Sequence, residues 1–252
     1  MEEKREETTN QQNGFSLDVG EMAKAGLHFG HRRSKVHPRM EPYLYGIRNT
    51  VYIIDLEKTK EKLEEALKFI QKTIREGKDL LIVGTRIQSQ GLIRELAEEC
   101  NLPFVAGRWI GGTFTNFEVI RKRIEHLKDL KEKKEKGELE KYPKKEQAQI
   151  EDEIEELQRK FGGIEEMKSL PDAVFIVSIK GNELVVKEAR DKGVKVIGIT
   201  DANVNPLLAD YPIPANDDAR SGVSYILEAV RKAILKAQEE REAQKKGEKK
   251  EQ

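Results

Sequence analysis

Three apolar runs constrain this chain more than any other feature: LLIV at 80–83, AVFIVSI at 173–179 and VKVIGI at 194–199. A strand with one wet face alternates polar and apolar residues. A strand that is apolar at consecutive positions must be covered on both faces, which with intervening helices means parallel pairing. Helices are legible between the runs. Leu56, Leu63, Leu67, Ile70 and Ile74 fall at helical spacing before the stop at Gly77, and further amphipathic stretches cover about 89–100, 182–191 and 217–238. A short run at 103–106 and a β-like run, Val51 to Ile54, bring the strands to about five. The expected fold is an α/β doubly wound parallel sheet, flavodoxin-like in layering, with helices on both faces.

Charge is balanced but unevenly placed. The 252 residues carry 46 Lys or Arg and 46 Asp or Glu, which excludes a uniformly basic protein. Residues 117–161 hold 26 of these charges. Within them Phe117, Ile120, Ile124 and Leu127, then Ile150, Ile154, Leu157 and Phe161, form two narrow heptad-like stripes. Gly137 and Pro143 break the helix between the arms, one of which is net basic and the other net acidic. The pattern predicts an antiparallel coiled-coil hairpin over 117–163, inserted into an α/β domain made of 21–116 and 164–236 and projecting into solvent. A pair of solvated surface helices fits the same pattern equally well. The polar leader 1–20 and charged tail 237–252 lack a core stripe and are expected to be disordered. The N-terminus has no secretory pattern, no run approaches a membrane span, and the single Cys100 fits a packing residue in a reducing cytoplasm.

Chemistry-bearing candidates are few. Val83-Gly84-Thr85-Arg86 and the 108–116 loop, RWIGGTFTN, could hold phosphate through backbone N–H groups, although neither matches a phosphate-loop or dinucleotide fingerprint. His31, Asp201 and Asp218 are the first candidates for a metal site, with Asp210 and Asp217 nearby in sequence and Asp217 a plausible helix cap. Nothing suggests a nucleophile. Nucleic-acid binding accounts for more of the unusual residues. Lys24, His28, His31, Arg32, Arg33, Lys35, His37, Arg39 and Arg48 interleave with Phe29, Tyr43 and Tyr45, so cations for phosphates sit beside rings that can stack on bases. Arg108, Trp109, Thr113, Thr115 and Asn116, continuing into Arg121, Lys122 and Arg123, repeat the combination. The plainer alternative is a solvated basic loop with Trp109 buried.

These residues carry a resemblance. AGLHFGH (25–31), RWIGGTFTN (108–116), LPDAVFIV (170–177) and PANDDAR (214–220), in this order and together with NTVYIIDLEKT and LLIVGT, are similar to the signatures of the bacterial small-subunit ribosomal protein two family. The resemblance covers about 21–236. It implies a flavodoxin-like domain with an inserted helical hairpin, bound to small-subunit ribosomal RNA in the cytoplasmic ribosome. A structural role is expected, with no catalytic residue, metal, cofactor, small-molecule substrate or membrane partner. Neighbouring small-subunit proteins are expected partners, including the large first protein that captures messenger RNA. The expected RNA contacts are Lys24, His28, His31, Arg32, Arg33, Lys35, Arg39, Arg48, Arg86, Arg108, Trp109, Thr113, Thr115, Asn116, Arg121 and Lys122. The chain departs from the family at Val36-His37-Pro38-Arg39, where Trp-Asn-Pro-Lys is usual, at Asn205 in place of Asp, and at Ala215 in place of Gly. A sugar-phosphate or nucleotide-binding enzyme on the same fold is the alternative, motivated by the glycines at 84 and 111–112.

Overall fold

A computed structural model describes residues 15–248. Five parallel strands, β4 (Leu80–Val83), β5 (Phe104–Val105), β6 (Ala173–Ile176), β7 (Lys195–Thr200) and β8 (Tyr211–Pro214), lie in the order β5-β4-β6-β7-β8. Counted along the chain this is 2-1-3-4-5, the flavodoxin-type order, whose switch point falls between β4 and β6. Successive residues of β4 explain its unbroken apolar run. Leu80 and Ile82 enter one core, while Leu81 and Val83 enter the other. Helices α1 (Val19–Lys24), α2 (Leu56–Arg75), α3 (Ile87–Glu99) and α7 (Arg220–Glu248) belong to the first face, where Leu63, Leu67, Ile70, Ile93, Ile226, Val230 and Ile234 are buried.

The strand count matches the expectation, but one member differs. Residues 51–54 belong to a separate antiparallel sheet in which β3 (Val51–Ile54) lies between β1 (Phe29–Arg32) and β2 (Leu44–Arg48). The fifth parallel strand is β8, whose sequence YPIP argues against a strand because proline donates no ladder hydrogen bond. Its edge position resolves the conflict, since β8 pairs only with β7.

On the second face α6 (Glu183–Lys192) is joined by the helical hairpin, α4 (Phe117–Glu135) and α5 (Lys144–Phe161). Ile120, Ile124, Leu127, Leu130, Leu157 and Phe161 are buried in one cluster with Val83, Val174 and Ile176. The hairpin is therefore the β5-to-β6 crossover, and its base is core. Toward the tip, Ile150 and Ile154 are only partly buried. The arms meet through Lys134–Glu151 (3.0 Å) and His126–Glu153 (3.1 Å), the sense of pairing their opposite charges predict.

Ordered structure extends past the expected boundaries at 20 and 236. Phe15 and Leu17 pack on the first core, and Asp18 caps α1 by accepting from Gly20 N at 2.9 Å. At the other end Ala237 is buried, Gln238 donates to the Cys100 carbonyl (2.7 Å), and α7 continues to Glu248. Residues 1–14 and 249–252 lie outside the described residues. Among the described residues no helix is long and apolar enough to cross a membrane.

Candidate nucleic-acid interface

The small antiparallel sheet concentrates the first basic stretch. Arg32 at the end of β1 and Arg48 at the end of β2 both register with Val51 of β3, which sets their side chains at one end of the sheet. The two-residue turn Asn49-Thr50 joins β2 to β3 with both φ positive (47° and 67°), and Arg33 N donates to the Thr50 carbonyl. Arg33, Lys35 and Arg39 follow on the adjoining 3-10 turns. Lys24 ends α1. All six cations are exposed, and among the described residues none has a carboxylate within 4 Å. That contrasts with the rest of the surface, where pairs such as Lys62–Glu65, Arg75–Glu240 and Arg231–Glu99 are frequent. Phe29 and Tyr45 of the same sheet are 53% and 82% exposed, so each offers ring surface on which a base can stack. Gly30 is required here. A Cβ at this position would lie 2.7 Å from the Tyr52 carbonyl oxygen and 3.2 Å from Ala202 Cβ, where β1 passes between β3 and the loop after β7.

The second stretch divides. Arg108, Thr115, Asn116, Arg121 and Lys122 are exposed, with Arg121 3.5 Å from Glu125. Trp109 and Thr113, expected to touch RNA, are turned inward. Trp109 packs edge-on against buried Phe114 (4.9 Å), and the Thr113 hydroxyl donates to the Ile110 carbonyl (2.6 Å). The residue that organises this loop was not anticipated. Glu188 of α6, 4% exposed, accepts from Gly112 N (2.8 Å), Phe114 N (2.9 Å), Thr115 N (3.3 Å), Thr115 Oγ1 (3.3 Å) and Trp109 Nε1 (3.4 Å). Burial pushes its carboxyl pKa up, but the converging donors outweigh burial and hold it below the usual range. The glycine loop thus cradles an anion, and that anion is the protein's own. One signal was available in sequence: Glu188 is an acid on the same helical stripe as Val185 and Ala189.

At the β4/β6 switch point a second expectation changes. Arg86 Nη1 donates to Asp217 Oδ1 (2.8 Å), the Asp217 carbonyl (3.0 Å) and Asp218 Oδ1 (2.5 Å), while Ser178 Oγ donates to Asp217 Oδ2 (2.6 Å). Arg86, expected to touch RNA, is thus held through Nη1 by the chain's own carboxylates, buried Asp217 and exposed Asp218. These bonds lie at the strand ends beside the crevice in which this fold class holds small molecules. In the glycine loop the N–H groups of Gly112, Phe114 and Thr115 are likewise taken, by Glu188.

His31 and His28 face partly inward. His31 Nδ1 lies 3.2 Å from Asp201 Oδ1, Nε2 lies 2.8 Å from Asn203 Nδ2, and Asp218 Oδ2 lies 3.9 Å from Nε2. One ligand atom from each of His31, Asp201 and Asp218 lies within 4.8 Å of the others, close enough to share a cation. Asn205 stands apart and caps the next 3-10 turn by accepting from Leu207 N. The His28 ring tilts against Phe29 at 4.0 Å. Cys100 is buried, which pushes its thiol up to about 11 and leaves it an unreactive packing group.

Asp201 is fully buried, and burial together with the Asp217 charge pushes its carboxyl up to about 6. The folded state therefore holds a proton that the unfolded chain releases near 3.8. Stability contributed by this group is expected to fall as pH rises from about 4 to about 6, by on the order of 2–3 kcal/mol, and then to level off. Asp201→Asn should remove that slope. Melting temperatures of both proteins between pH 4 and 7 test it, and parallel profiles would refute it.

Fold and surface together define a class: a doubly wound α/β protein whose glycine loop holds its own carboxylate and whose exposed cations gather on an appended sheet. Residues 22–237 match the family described as Ribosomal protein S2. The small ribosomal subunit protein uS2 of Coprothermobacter proteolyticus is 42% identical over 226 residues, 90% of this chain and 84% of that protein. The chain belongs to the ribosomal protein S2 family. It is a structural protein of the cytoplasmic ribosome and not an enzyme.

Proposed function

We propose that the chain holds small-subunit ribosomal RNA through the β1–β3 sheet, with Arg108, Thr115, Asn116, Arg121 and Lys122 as a second group of contacts. In this reading 21–116 and 164–236 form the RNA-binding body, and 117–163 is an arm built onto it. Docking of neighbouring small-subunit proteins, including the large messenger-RNA-capturing first protein, belongs to the same scaffold role. The observation that carries the reading is the set of exposed cations Arg32, Arg33, Lys35, Arg39 and Arg48, unpaired among the described residues and gathered around one turn beside exposed rings, in a chain of zero net charge. Such a patch lowers its free energy most by meeting phosphates and releasing their counterions.

Replacing Arg32, Arg33 and Arg39 together with Ala is expected to weaken binding to purified small-subunit ribosomal RNA by roughly 10- to 100-fold at 0.1 M salt. The slope of log affinity against log salt should shrink by about 2–3. Filter binding across a salt series reads both quantities. Unchanged affinity and slope would remove this patch from the interface.

A further inference from the structure

A second concavity lies at the opposite edge of the parallel sheet. Between α3, the edge strand β5 and the hairpin helix α5 is a cleft of about 710 Å³. Arg94 of α3, Arg108 after β5 and Arg159 of α5 line it. All three are exposed, and among the described residues none has a carboxylate within 4 Å. Lys131 and Lys160 complete the basic lining but are paired with Glu165 and Glu156, and Glu98 and Glu155 are the acids of the same walls. Gly107, Gly162 and Gly163 also line it, and a Cβ at Gly107 would meet nothing within 4 Å, so a backbone can approach closely there. Arginine at all three unpaired positions matters chemically. A planar guanidinium offers paired donors to phosphate oxygens, whereas an ammonium offers a point charge.

We propose that this cleft is a second phosphate-binding site for RNA, distinct from the β1–β3 patch, so that the protein bridges two stretches of RNA backbone across its sheet. The proposal rests on the RNA-binding reading above. Its geometry follows from strand order. The β1–β3 sheet approaches the loop after β7, where His37 N donates to the Ala202 carbonyl, while the cleft lies against β5. The three strand spacings from β5 to β7 amount to about 14 Å, beyond the screening length of about 8 Å at physiological salt. The two sites therefore contribute additively.

The test is the full-length Arg94→Ala/Arg159→Ala variant, which leaves the sheet patch and Arg108 intact, titrated with purified small-subunit ribosomal RNA between 50 and about 300 mM salt. The salt slope should fall by about 1.5 and affinity by roughly tenfold, with the melting temperature unchanged and the loss adding to that of the Arg32/Arg33/Arg39 variant. Arg94→Lys/Arg159→Lys should restore the slope while recovering affinity only in part. An unchanged slope, with the sheet variant still impaired, overturns the cleft and leaves the sheet reading standing. No RNA binding by the wild-type protein overturns both. If the double Ala variant loses binding to poly-glutamate but keeps its RNA slope, the cleft serves an acidic protein and the RNA assignment fails.

Discussion

Glu188→Ala is expected to lower the unfolding free energy by about 3–5 kcal/mol, a large part of the 5–15 kcal/mol typical of a domain. The cost comes from the donors left behind. Phe114 N and the Trp109 indole are buried, and with Gly112 N and Thr115 N they converge on this one carboxylate. Each donor left buried without a partner forfeits its desolvation cost, most of all Phe114 N and the Trp109 indole. Glu188→Gln keeps the shape but sets an NH₂ group against N–H donors on one side, so it should fall between wild type and Ala. The pH dependence separates the carboxylate from mere packing. Because the folded pKa is depressed, Glu188 stabilises the fold above the unfolded value near 4.5, and that contribution is lost as pH falls through the folded value. Wild type should therefore lose stability in acid more steeply than Glu188→Gln. Urea unfolding at pH 7 and pH 3.5 measures both differences, and a loss below about 1 kcal/mol for the Ala variant would show that the loop holds itself.

Gly163→Ala is expected to cost about 2–4 kcal/mol, for a steric reason. Gly163 follows α5 on the 3-10 turn Gly162–Ile164, where the hairpin returns to the body beside β5. A methyl group there would lie 3.1 Å from two ring atoms of Phe104 and closer still to the Phe104 carbonyl oxygen. Backbone cannot swing aside as a side-chain end can, so the joint between hairpin and sheet edge must open. Gly162→Ala supplies the control, because its new methyl would meet only the flexible end of Gln158. Equilibrium unfolding of the two variants should differ by at least about 2 kcal/mol, and limited proteolysis should cut the hairpin faster only in Gly163→Ala. Equal stabilities would mean that the joint tolerates the expansion.

Both sites show where sequence reading stops. The basic stretch 24–48 was legible because composition alone places cations beside rings, and the structure leaves Arg32, Arg33, Lys35, Arg39 and Arg48 exposed and, among the described residues, unpaired. The second stretch was legible only in part. Trp109 and Arg86 have the chemistry of RNA contacts, but direction decides their use, and direction depends on Glu188, Asp217 and Asp218, which lie 79 to 132 positions away. The same holds for β8, whose prolines are unfavourable for a strand until it is known to lie at an edge.

What the sequence determined by itself was the layering. Runs apolar on both faces demand cover on both faces, and that requirement is local, repeated and independent of which element supplies the cover. Tertiary structure alone decided which elements meet: that β3 leaves the main sheet, that the hairpin base becomes core instead of a free arm, and that an acid on α6 fills the glycine loop. These outcomes depend on pairings between distant segments, whose free energy arises only when both partners are in place, so no stretch of sequence carries them alone.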